Sequence, residues 1–159
     1  MWNGTLFGIY TYMLKSKLLH PQITAALGRG GHSSKVLISD GNYPHWTRRG
    51  PNTEVVYLNL APGKVSAAEV LEALLTAIPV EKAEVMDYAR TGPYALAGDP
   101  PVWAEYSRLL AESGQPMALT PVERFAFYEA ASAPSVCLTV ATGETAIYAN
   151  LLLTIGVVR

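Results

Sequence analysis

A chain of 159 residues with 12 basic and 13 acidic side chains has no cationic field to hold phosphate backbones or anionic lipid, which argues against nucleic-acid and membrane partners. Half of its residues are hydrophobic, enough for the core of one compact domain. Its one cysteine, Cys137, cannot close an internal disulfide, a usage that fits the reducing cytoplasm.

Residues 1–12, "MWNGTLFGIYTY", contain no Lys or Arg, no long apolar core and no small-residue cleavage site, so they make neither a signal peptide nor a membrane span. We read them as an N-terminal extension or a mis-assigned start, with one domain over residues 13–159. Pro21 opens a helix in "PQITAALGRGG", which Gly28, Gly30 and Gly31 stop. "KVLIS" is a buried strand, and "EVVYLNL" is a second strand after the turn-rich loop "DGNYPHWTRRGPN". Ser66 and Glu69 have capping-box spacing ahead of a helix whose Val70, Leu71, Leu74, Leu75 and Ile78 share one face. "AEVMDY" follows as a strand, and Asp99 with Pro100 and Pro101 opens a helix through "VWAEYSRLLAES". Thr120 and Glu123 repeat the capping-box spacing before "PVERFAFYEAAS". Strands "SVCLTVAT" and "LLLTIGVV" close the chain around the turn "GET". Strands interleaved with helices predict an α/β fold with the sheet covered on both faces.

In such sheets ligands collect in the loops at strand ends. His32 precedes "KVLIS" and Asp40 follows it, with five extended residues between them, roughly 17 Å. That span keeps them apart within one chain, unless the loop "DGNYPHW" folds back or a neighbouring subunit supplies one of them. From spacing alone both also read as exposed turn residues. In "RFAFYE", Arg124 and Tyr128 share a helical face at i, i+4, either as a guanidinium stem on a ring or as a donor fork and phenol aimed at a hydroxyl-rich ligand. Tyr148 and Asn150 stand at the mouth of the last strand, where they either cap the sheet or hold a ligand.

Other chemistries lack their residues. "GRGGHSS" has Ser33 where a dinucleotide fingerprint needs its third glycine, and it runs from helix to strand, the reverse of the required order. There is no G-x-x-x-x-G-K-[ST] run. His20, His32 and His45 are scattered, and no second cysteine gives metal-ligand spacing. Cys137 sits in an apolar strand with no basic neighbour to activate it.

Taken together, "GH" before a strand, "SD" and "YP" after it, "RFAFYE" and the terminal "TGE-x-x-x-YAN-L-L-L-x-x-GV" closely resemble the RbsD/FucU family of cytoplasmic sugar mutarotases. The resemblance runs from about Met13 to the C-terminus, and "RFAFYE" is similar to the L-fucose mutarotase branch rather than the D-ribose pyranase branch. It implies a three-layer α/β/α sandwich around a mixed sheet, a free monosaccharide substrate, no metal or organic cofactor, and a decameric ring with sites near subunit boundaries. It also implies that His32 donates a proton, with Tyr128 as a further catalytic group. Asp40 and Arg124 bind sugar hydroxyls, as do Tyr148, Ala149 and Asn150. Asn42 departs from the fucose branch, which has histidine before the Phe/Tyr-Pro pair. D-ribose pyranase activity, or sugar binding without catalysis, are the alternatives. Acid–base chemistry suits these side chains, because a neutral imidazole can donate from one nitrogen and accept at the other.

Overall fold

The computed structural model describes residues 11–159, so residues 1–10 of the expected extension lie outside the described residues. Four helices and six strands follow in the order α1 (Pro21–Gly30), β1 (Lys35–Ser39), β2 (Glu54–Tyr57), α2 (Ala67–Leu75), β3 (Val80–Met86), α3 (Pro101–Glu112), β4 (Thr120–Val122), α4 (Arg124–Ala131), β5 (Val136–Ala141) and β6 (Leu151–Ile155). The strands form one sheet in the order β2-β5-β1-β6-β3-β4. β1 runs parallel to β5 and antiparallel to β6, so the sheet is mixed.

Alternation along the central strands sorts their side chains onto two faces. Val36 and Ile38 of β1, with Leu151 and Leu153 of β6, join the larger core, against Ile23 of α1, Leu71 and Leu74 of α2, and Tyr106 and Leu110 of α3. Leu37 and Leu152 point the other way and meet Phe127 and Ala131 of α4. The expected three-layer sandwich is therefore present, with α4 alone as its second outer layer. Each of these buried aliphatic side chains contributes about 1.5–3 kcal/mol relative to exposure.

Local signals explain most boundaries. Pro21 starts α1, and Gly31, at φ +80°, ends it in a conformation that disfavours any side chain. Ser66 and Glu69 make the reciprocal capping box of α2, and all five predicted face residues are buried, although the helix ends at Leu75 and Ile78 lies beyond it. α3 opens behind Pro100 without a side-chain cap, so Asp99 plays no such part. β2 ends at Tyr57, three residues short of expectation, and Leu60 is exposed.

The second capping-box pattern, Thr120-x-x-Glu123, does not form a capping box. Thr120 lies in β4, paired with Glu84 of β3, and Glu123 is itself the cap of α4, its carboxylate accepting from the Phe125 and Ala126 amides. Pro121 is tolerated because β4 is an edge strand, where a missing donor breaks no second ladder. Among the described residues, no helix is long and apolar enough to cross a membrane.

Candidate functional site

Antiparallel pairing of β1 with β6 places Ile38 opposite Leu151, so the chain leaving β1 meets the chain entering β6. Asp40 and Asn150, 110 residues apart, lock together there. The Asp40 amide donates to Asn150 Oδ1 at 2.9 Å, and Asn150 Nδ2 donates to Asp40 Oδ2 at 3.0 Å. The Asn42 amide donates to Asp40 Oδ1 at 3.0 Å. Both side chains are buried. Burial pushes the Asp40 carboxyl above its ordinary pKa, against the pull of the Asn42, Tyr43 and Ala149 amides and the Asn150 side chain. Every protein group on this carboxyl is a donor, and two of them, the Asn42 amide and Asn150 Nδ2, bond its oxygens directly, which leaves acceptor capacity for a ligand hydroxyl.

The two residues before Asn150 are fixed from the larger core. Tyr148 has φ +56°, a left-handed conformation that a bulky residue keeps only when its surroundings enforce it. Trp103 Nε1 donates to the Tyr148 carbonyl at 2.9 Å, and Tyr106 Oη donates to the Ala149 carbonyl at 2.6 Å. Ala149 is buried, so it contributes backbone rather than side chain. The Tyr148 phenol accepts from the Ala89 amide at 3.2 Å and donates to the Tyr94 carbonyl at 3.3 Å.

α4 brings the third group. Arg124 is its first residue and Tyr128 lies one turn on, with the guanidinium carbon 5.9 Å from the ring centre. Arg48 approaches the same ring at 5.4 Å, and the Tyr43 ring centre lies 5.7 Å away. Asp40, Arg124, Tyr128, Tyr148 and Asn150 line one cleft of about 470 Å³. Small-molecule sites occupy about 300–1,000 Å³. Its remaining walls are Asn42, Tyr43, Met86, Tyr94 and Ile147. Sequence reasoning missed the last four: Met86 and Tyr94 lie in no motif, Ile147 falls at an unspecified position of the "TGE-x-x-x-YAN" run, and Tyr43, quoted within "YP", was given no role.

His32 is elsewhere. It lies before β1, at the opposite end of the strand from Asp40, with Nε2 3.1 Å from Glu81 Oε2 and both side chains about half exposed. It does not line the cleft. Nearer to the cleft is His45, whose ring packs at a tilt against Tyr43 with centres 5.6 Å apart; burial lowers its pKa, and its Nε2 is buried without a partner. Cys137 is half-buried, its thiol donating to the Lys35 carbonyl at 3.4 Å, and burial pushes its pKa up. Among the described residues, no group of three or more His, Cys, Asp or Glu could hold a metal ion.

A mixed six-stranded sheet with a cleft where one of two antiparallel strands ends and the other begins makes a frame suited to a small ligand, and the comparisons identify the family. Residues 13–158 match the model of the RbsD / FucU transport protein family, and the chain belongs to that family. It is 35% identical to a fucose mutarotase of Danio rerio over 148 residues, covering 89% of this chain and 90% of the relative. It is 34% identical to a D-ribose pyranase of Streptomyces coelicolor over 145 residues, covering 91% and 98%. Among solved structures, the fucose mutarotase of Streptococcus pneumoniae in complex with L-fucose superposes with a TM-score of 0.72 at 25% identity, covering 90% of this chain and 96% of the other.

Proposed function

We propose that this protein is a sugar mutarotase that interconverts the anomers of free L-fucose by acid–base ring opening and closure, with no metal or organic cofactor. The observation that carries the reading is the convergence of Asp40, Arg124, Tyr128, Tyr148 and Asn150, from separate stretches of chain, on one cleft large enough for a monosaccharide. The fucose mutarotase relative supports the substrate.

The reaction asks for two proton movements. A proton reaches the ring oxygen as the C1–O5 bond breaks, and another leaves the anomeric hydroxyl as C1 becomes a carbonyl. Rotation about C1–C2 presents the other carbonyl face, and closure reverses both transfers. In our reading, Asp40 accepts from a sugar hydroxyl, Arg124 donates to another, and Asn150 holds the Asp40 carboxyl in place. Tyr148 and the Ala149 backbone close the wall, and Tyr128 is a second proton carrier. His32 is the principal donor, brought to the cleft by a neighbouring copy in a ring, ten copies being the family expectation. The reading places the protein in the cytoplasm, in keeping with its one cysteine.

NMR saturation transfer between the α and β anomeric protons tests the proposal at equilibrium, where no net product forms. L-fucose exchange should depend on the protein, with D-ribose responding less, because a site built for one set of hydroxyls leaves its polar groups unpaired with another. Faster pyranose–furanose exchange of D-ribose, with fucose unaffected, would assign the pyranase activity instead, a second reading favoured by the 34%-identical D-ribose pyranase. Binding without exchange of either sugar would leave a sugar-binding protein and no mutarotase.

A further inference from the structure

The turn Thr142–Thr145, "TGET", takes no part in the chemistry above, yet it lies between β5 and the Tyr148–Asn150 triplet. Its glutamate is engaged through every polar atom. Glu144 Oε2 accepts from the Ala67 amide at the start of α2 at 3.2 Å, and Oε1 accepts from the Thr145 and Ala146 amides, both at 2.9 Å. Its backbone carbonyl accepts from the Gly41 amide, next to Asp40, at 2.9 Å. Its own amide donates to Thr142 Oγ1 at 3.2 Å, and that hydroxyl donates to the Ser39 carbonyl at 2.7 Å.

We propose that Glu144 is a positioning residue for sugar recognition. Its carboxylate clamps the segment leading to Ile147 and Tyr148 onto α2, and its carbonyl sets the turn that follows Asp40, so one residue fixes two walls of the cleft relative to each other. This deepens the mutarotase reading and rests on it. α2 keeps its own capping box when Glu144 is lost, because Ser66 and Glu69 satisfy each other. The loss therefore falls on the two loops.

The comparison of Glu144→Ala with Ser66→Ala tests this. Both remove a carboxylate or hydroxyl acceptor from the same helix end, but only Glu144 also holds the segments that carry the cleft walls. Both should lower Tm. Glu144→Ala should raise KM for L-fucose by about tenfold or more with a smaller change in kcat, while Ser66→Ala leaves KM unchanged, since displacing binding groups acts on sugar affinity. A merely structural role would lower kcat with the folded fraction and leave KM alone, and that result in folded Glu144→Ala would overturn the inference. Where Glu144→Ala does not fold, Glu144→Gln keeps Oε1 for the turn amides but turns an NH₂ toward the Ala67 amide. Its KM should lie above wild type, and a wild-type KM would equally overturn the inference. Amide hydrogen exchange supplies a readout that needs no sugar. Gly41 and Ala146 should exchange faster in the folded variant while α1 and α3 keep their protection, and unchanged protection at Gly41 would sink the positioning role. Faster exchange there in a protein whose wild type shows no mutarotation would leave that role standing and remove the proposed activity alone.

Discussion

At Asp40, burial and hydrogen bonding pull in opposite directions, and burial prevails: the carboxyl pKa is raised from 3.8. The folded state then binds its proton more tightly than the unfolded chain does. The group's stabilising effect is full below the unfolded pKa and is lost as pH rises through the folded value. Asp40→Asn removes this loss. The difference in urea midpoint between Asp40→Asn and wild type should therefore shift in favour of the variant as pH rises through that window, and parallel curves would contradict it. The same substitution should weaken L-fucose binding by about 1.5–3 kcal/mol, the range for a hydrogen bond to a charged group, as read by calorimetric titration. His32 makes a different prediction. Its contact with Glu81 is an exposed pair worth about 0–1 kcal/mol, so His32→Ala should barely alter stability. It should nonetheless slow anomer exchange by about 10² to 10⁴ if the ring donates the proton, with sugar affinity changed much less. Unchanged exchange would return His32 to a surface turn.

Among the elements, the turn between β5 and β6 has no room for a side chain at its glycine. A side chain at Gly143 would overlap the Lys64 and Ala61 carbonyl oxygens, and those are backbone atoms that cannot swing away. Gly143→Ala should destabilise by at least the 1–3 kcal/mol or so typical of overpacking, measured by chemical denaturation; wild-type stability would show that the turn yields. Elements with a strong local period were legible in the sequence. α1 has its proline start and glycine stop, α2 its capping box and four of the five face residues, and β1 its apolar run. β4 was not, because three residues with a central proline carry no strand period and Thr120-x-x-Glu123 imitates a helix start. Nor does local pattern reveal that β1 pairs with β6, a contact spanning more than 110 residues that alone joins Asp40 to Asn150. Each was singled out by its place at a strand end, and only the family resemblance put both in one site. Met86, Tyr94 and Ile147 were missed because each becomes a wall only after the sheet has assembled.

For the whole molecule, the decisive distance is the length of β1. The cleft lies beyond one end of the strand and His32 before the other, so a site using both draws on two chains. Light scattering should give a particle several times 17.1 kDa at working concentration, and a monomer would remove the shared site.

A site divided in this way has a genetic consequence. His32→Ala subunits keep an intact cleft, and Asp40→Asn subunits keep an intact donor, so each variant repairs what the other lacks. At sugar concentrations well below KM, neither pure variant should support substantial exchange. After unfolding and refolding as an equal mixture, about a quarter of the boundaries in a head-to-tail ring should pair a sound cleft with a sound histidine. Activity should reappear in that proportion, complementation between two defective copies of one gene product. Refolded mixtures no more active than their components would mean that each chain works with its own residues only.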